Sequence, residues 1–159
     1  MRGDELVILK RRPLIFHNVL STNVSSKAEE WHLAATDLRN AVIKNGLYGT
    51  GPIFYRVFTP SDNNDVFNYT FYLPINEKVQ MKENEKYSFT DKLEINDGLV
   101  FRHVDLDSEL EESYQLIRGV AKSQNLVLNE PFYNIYLEIY GGGIIDIYAP
   151  IVVEKSNDD

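Results

Sequence analysis

The sequence has no cysteine, which removes disulfides, thiolate nucleophiles and thiolate metal ligands from consideration. It also has no apolar run near the roughly 18 residues that a membrane-spanning helix needs. A secretory signal places cations before an apolar stretch, whereas here the short run Leu6 to Leu9 precedes Lys10, Arg11 and Arg12. These absences read as a cytoplasmic chain with no membrane contact. Basic residues are scarce as well. Sixteen Lys and Arg against 24 Asp and Glu give a formal charge of −8, which repels phosphate backbones. The one basic cluster, Lys10 to Arg12, reads as the charged edge of a strand, so no nucleic-acid partner is expected. The three histidines, His17, His32 and His103, show no metal-ligand spacing, and no metal or cofactor is expected. Gly46, Gly49 and Gly51 lack the Lys-Ser/Thr pair of a phosphate loop, and no Gly-x-Ser-x-Gly elbow occurs. With no nucleophile and base in view, the expectation is a protein that binds and does not catalyse.

What is present is enough apolar sequence for one domain, 43% of 159 residues, and a repeat. Leu14-Ile15-Phe16-His17-Asn18-Val19 is echoed by Leu99-Val100-Phe101-Arg102-His103-Val104. Val42-Ile43-Lys44 then returns as Val120-Ala121-Lys122, and Pro52-Ile53-Phe54-Tyr55 as Pro131-Phe132-Tyr133. Phe71-Tyr72-Leu73-Pro74-Ile75 returns as Ile147-Tyr148-Ala149-Pro150-Ile151. Four echoes in the same order predict an internal duplication. Within a single domain 1–159, repeat 1 covers about 14–75, a charged linker 76–87, repeat 2 about 88–153, and a polar tail 154–159.

Each copy reads as strand, helix, hairpin. In the first strand, Leu14, Phe16, Asn18 and Leu20 alternate with Ile15, His17 and Val19. Ser26 with Glu29, and Ser108 with Glu111, have the spacing of capping boxes. Trp31, Ala34, Ala35, Leu38, Ala41 and Val42 form a helical stripe that ends near Gly46, and Leu110, Tyr114, Ile117 and Ala121 form a second that ends near Asn125. The hairpins pair Ile53 to Phe58 with Phe67 to Ile75, and Phe132 to Tyr140 with Ile144 to Val153. The segment Ser88 to Ile95 reads as extended. Two such units predict an α+β fold, an antiparallel sheet with both helices on one face.

Alternation then proposes a binding face. The aliphatic set Tyr133, Ile135, Leu137 and Ile139 is assigned to the helix side, which sends Tyr136, Glu138 and Tyr140 to the helix-free side. Asp146 and Tyr148 of the partner strand, and Tyr72 of repeat 1, join them there. Tyrosines present apolar surface with a polar tip, and carboxylates among them select a cation or a donor. The candidate binding residues are thus Tyr72, Tyr136, Glu138, Tyr140, Asp146 and Tyr148.

The doubled strand-helix-hairpin, with Tyr136-Leu137-Glu138-Ile139-Tyr140 in its penultimate strand and Ile147-Tyr148-Ala149-Pro150-Ile151 closing it, resembles the GyrI-like effector-binding fold. The resemblance implies a cleft between the repeats in which Glu138 meets cationic ligands. Gly141-Gly142-Gly143 stands where that family carries a longer insert. Members of the family that regulate transcription carry a helix-turn-helix, for which no segment before Leu14 reads as a candidate. The chain also resembles the EsaE-like accessory proteins of type VII secretion loci, which implies an adaptor or chaperone for a protein partner such as a secreted toxin. Three readings follow. The first is that protein-binding adaptor, the second a small-molecule effector binder with a Tyr/Glu cleft for amphipathic or cationic ligands. The third is a cleft hydrolase using Glu138 with Tyr136 or Tyr148.

Overall fold

The structure, a computed structural model, describes residues 9–58, 66–81, 86–104, 109–139 and 142–152. Eight strands form one sheet: β1 (Leu9–Arg11), β2 (Leu14–Lys27), β3 (Phe54–Phe58), β4 (Val66–Pro74), β5 (Tyr87–Ile95), β6 (Gly98–His103), β7 (Tyr133–Ile139) and β8 (Gly142–Pro150). Helix α1 (Trp31–Lys44) follows β2, and α2 (Leu110–Ser123) follows β6. Every strand pairing is antiparallel, in the order β1-β6-β8-β7-β3-β4-β2-β5. The predicted α+β class is what forms.

The two halves repeat one topology. Sheet order runs β6-β8-β7 in one and β2-β4-β3 in the other, and they join where β3 meets β7, with Phe54 opposite Ile135 and Tyr55 opposite Asn134. The strand leading into each half crosses to the far edge of the other: β1 pairs with β6, and β5 with β2.

Both helices lie on one face. The stripe Ala34, Ala35, Leu38 and Val42 of α1 packs on Tyr55, Tyr69, Phe71 and Leu73, and Ile117 and Ala121 of α2 pack on Leu99, Ile145, Ile147 and Ala149. Three- and four-residue spacing in each helix meets two-residue spacing in each strand, which is why the local pattern predicts these layers. The helices end as expected, at Gly46 and Asn125 with φ of 77° and 57°. Their starts differ from expectation. Ser26 lies within β2 and its hydroxyl donates to the Lys27 carbonyl, while a short 3-10 turn, Ala28–Glu30, leads into α1 with no side-chain cap. Ser108 lies outside the described residues, and Glu109 precedes α2 without a side-chain cap.

The opposite face has a core of its own. Strands β2 and β5 run on past Pro74, where β4 stops, and this two-stranded extension brings Leu14, Phe16, Leu93 and Ile95 against Val19, Phe54, Tyr72, Tyr133 and Tyr148. Asn18, with φ of 54°, resets the alternation, so that Val19 joins Leu14 and Phe16 while Leu20 faces the helices. Strict alternation through Asn18 predicted the reverse. Asparagine tolerates this left-handed conformation better than most residues, and one such residue turns a strand's faces over.

Candidate functional site

Because β3 and β7 form the seam, the helix-side groove between α1 and α2 is floored by residues of both halves. Trp31, at the start of α1, stacks on Tyr55 at 5.1 Å and meets Tyr136 edge-on at 5.6 Å. Tyr136 packs against the cores of both halves. From α2, the Tyr114 hydroxyl donates to Oδ1 of Asn134 at 2.6 Å, and Asn134 Nδ2 donates to the Tyr55 carbonyl at 3.3 Å. Asn134 is fully buried, so this chain of bonds fixes α2 to the seam. Beside it, where β3 ends and β7 begins, a cavity of about 460 Å³ opens between Val57, Phe67, Tyr114, Arg118, Glu130 and Phe132.

The cavity's electrostatics come from three side chains. Arg118 donates to Glu111 at 2.7 Å and to Glu130 at 3.0 and 2.7 Å, and its guanidinium lies over the rings of Tyr114 and Phe132 at 5.7 and 5.6 Å. Two carboxylates against one guanidinium leave a net negative rim over an aromatic floor. Hydrogen bonding from Arg118 holds the Glu111 carboxyl below its ordinary range, so it stays ionised at neutral pH. A general base works best with a pKa near the operating pH, and Glu111 is moved the other way. The rim attracts cations; of the two rings beneath it Tyr114 is partly exposed, while Phe132 belongs to the core.

Burial pushes the Tyr114 phenol up to about 12, against the lowering effect of its bond to Asn134, and burial likewise pushes Tyr148 up to about 12. A phenol whose folded pKa is raised keeps its proton longer in the fold than in the unfolded chain. The contribution of these two phenols to folding stability is therefore expected to be constant below the ordinary value of 10.0 and to fall as pH rises from there toward about 12. Urea unfolding at stepped alkaline pH, with tyrosinate absorbance alongside, measures this. Ionisation of all ten tyrosines below the ordinary phenol range with the fold intact would contradict it.

The residues singled out by alternation are split by the structure. Tyr72 and Tyr148 do lie on the helix-free side, but they are 6% and 1% exposed, closed in by the β2-β5 extension and by Phe54 and Tyr133. The Tyr72 hydroxyl accepts from Arg56 Nε at 2.9 Å, and the Tyr148 hydroxyl donates to the Arg12 carbonyl at 2.7 Å. Asp146 is on the same side, in a two-pronged ion pair with Arg102. Tyr136 is on the other face, in the groove. The assignment of β7 was inverted: Tyr133, Ile135 and Leu137 belong to the helix-free core, and Phe132 and Tyr136 to the helix side. Tyr140 lies outside the described residues. Glu138 pairs by its backbone with Gly143, and its side chain is outside what is described.

Sequence reasoning left out Asn134, Arg118, Glu130 and Trp31 as site residues. A buried Asn between strand apolars was the one available signal, since such a group demands partners. It also did not foresee that His103 Nδ1 and Ser113 Oγ meet at 2.8 Å. Both are buried, and neither lines the seam cavity. No group of three or more His, Cys, Asp or Glu suited to a metal occurs among the described residues. No helix among them is long and apolar enough to cross a membrane.

A family model for a domain of unknown function, DUF5085, matches residues 15–155, nearly the full length. The chain belongs to the DUF5085 family. No curated protein matches the sequence. Among solved structures, this DUF5085 chain is similar to EcmrR in its DNA complex, with 14% identity and a TM-score of 0.73 over 92% of this chain and 57% of that one. The chain thus spans little more than half of EcmrR. The EcmrR C-terminal domain alone gives 11% identity and a TM-score of 0.72 over 93% and 99%. A structure described as a hydrolase from Listeria innocua gives 12% and 0.59 over 90% and 92%. At such identities the likeness is one of fold, and that fold is the GyrI-like arrangement expected from the repeat.

Proposed function

We propose that this DUF5085 chain is an effector-binding domain whose seam cavity takes a small aromatic cation. The observation that carries the reading is the cavity between Tyr114 and Phe132, net negative at its rim and shared by both halves. Its volume of about 460 Å³ is within the range of small-ligand sites. The resemblance to the GyrI-like effector-binding fold favours a binding use of the groove, and the likeness to the EcmrR C-terminal domain is one of fold. Glu138, the carboxylate that the GyrI-like resemblance places in a cleft, stands six residues along the strand from Phe132, about 20 Å at the rise of an extended chain, and is not counted among the contacts of this cavity.

The adaptor reading, with a secreted toxin as partner, asked for open aromatic surface at Tyr72, Tyr136 and Tyr148. Tyr72 and Tyr148 are core and Tyr136 packs in the groove on the other side, so the helix-free face offers it no support. A hydrolase reading has the names of two Listeria innocua neighbours in its favour, while Glu111 of the cavity is held below its ordinary range, away from what a general base needs.

Trp31 is the only tryptophan and touches the groove, so its fluorescence reports on it. Ethidium is expected to change that signal saturably, and the anionic dye anilinonaphthalene sulfonate to compete poorly. Glu130→Gln, which takes one carboxylate from the rim and leaves the buried packing in place, is expected to weaken ethidium by up to about fivefold, roughly 1 kcal/mol for one half-exposed charge pair. Equal affinity for both dyes, or wild-type affinity in Glu130→Gln, would overturn the proposal.

A further inference from the structure

A second concavity lies on the helix-free face at the opposite edge of the sheet from β5, and its charge is opposite to that of the seam. Lys10 of β1 stands across from Val100 of β6, and Arg102 across from Asp146 of β8, so alternation brings these side chains to the same side. Together with Arg12 they surround a cavity of about 290 Å³ floored by Val100. Its cations are not equivalent. Arg102 is neutralised by Asp146 at 2.8 and 3.0 Å, and Arg11, whose side chain is not part of this cavity, by Asp97 at 2.7 to 3.0 Å. Lys10 and Arg12 have no carboxylate partner among the described residues. Three cations against Asp146 leave two positive charges in one small hollow of a chain whose net charge is −8.

The hollow is also held in shape. The Arg12 backbone is tied on both sides: its N–H donates to the Gly98 carbonyl at 2.9 Å, and its carbonyl accepts from the buried Tyr148 hydroxyl at 2.7 Å. Asp146 fixes the Arg102 guanidinium through two parallel bonds, the geometry that best orients an arginine, while one guanidinium nitrogen stays outside that pair. A mere edge device needs charge but no such anchoring of the backbone that carries it.

We propose that Lys10, Arg12 and Arg102 form a binding site for a phosphate group, free or carried on a small molecule. Arginine suits the planar, two-pronged recognition of phosphate oxygens, and lysine adds a point charge. The apolar floor at Val100 suits the body of an esterified phosphate. The site is distinct from the seam cavity and needs no outcome there.

The test is a titration of pyrophosphate, orthophosphate and glycerol phosphate followed by backbone amide NMR shifts at low ionic strength. Saturable shifts confined to residues 10–12, 98–102 and 146 are expected. Lys10→Gln with Arg12→Gln, which spares the Arg12 backbone bonds, should weaken binding by tenfold or more. Arg39→Gln with Lys44→Gln, an equal loss of two surface charges on α1, should leave it unchanged. A stronger response to glycerol phosphate than to orthophosphate assigns an esterified ligand, and the reverse a free one. Shifts spread over the surface, an equal effect of the α1 double variant, or an unchanged response in the Lys10 and Arg12 double variant would overturn the site. So would tight binding of duplex DNA through these residues that pyrophosphate fails to displace.

Discussion

Phe54→Ala is expected to cost about 3–5 kcal/mol of folding stability. The Phe54 ring is fully buried, stacked between Phe16 at 4.7 Å and Tyr72 at 4.8 Å, with Tyr133 at 6.0 Å. It sits on β3, opposite Ile135 of β7, where the two halves meet, so the void left by its removal is lined by both. Little can collapse into that void, because the backbone on either side is paired in the sheet. For a domain stable by about 5–15 kcal/mol, this is a large share. The melting temperature should fall by roughly 10 °C. Urea and thermal unfolding measure it, with Val66→Ala at a half-exposed strand end as the comparison. A loss for Phe54→Ala no larger than for Val66→Ala would mean that the helix-free face is not a core.

Gly98→Ala is expected to destabilise by about 1–3 kcal/mol although it adds a single carbon. A Cβ at Gly98 would clash with the hydroxyl end of the Tyr148 ring, which passes over this position to reach the Arg12 carbonyl. The ring is buried and bonded at its tip, so it cannot swing aside without losing that bond and exposing apolar surface. The loss is felt at β1, whose C-terminal end the bond holds. Amide exchange should therefore quicken at Leu9 to Arg11 more than at the helices. Gly98→Ala with wild-type stability and exchange would show that the ring has room to move.

The sequence makes the helices, both hairpins and the extended 88–95 segment legible, because each is written in local spacing. Ala34, Leu38 and Val42 read as a stripe without knowledge of their partner, and they are buried as such. Faces are harder. In β7, Tyr133, Ile135 and Leu137 alternate with Phe132, Asn134 and Tyr136, and both sets pack against apolar neighbours. When a strand is covered on both sides, aliphatic content no longer says which side carries the helix. What covers the second side is a strand extension from far along the chain, turned over by one residue, Asn18. The same blindness misplaced the candidate site. Tyr72 and Tyr148 were read as surface because the β2-β5 extension that buries them cannot be inferred from alternation. Arg118 and Glu130 were passed over because only the docking of α2 brings them beside Phe132.

The crossed leading strands set an order of events for a chain emerging from the ribosome. β5 can pair with β2 as soon as it appears, since β2 is already outside. β1 has to wait. Among the described strands its one neighbour in the sheet is β6, with Leu9 opposite Phe101, so it gains that partner only once His103 is free. Pairing over so long a separation is slow to form. During that interval the cations of β1 keep an unpaired edge soluble, and only its late docking against β6, under the Tyr148 hydroxyl, completes the sheet.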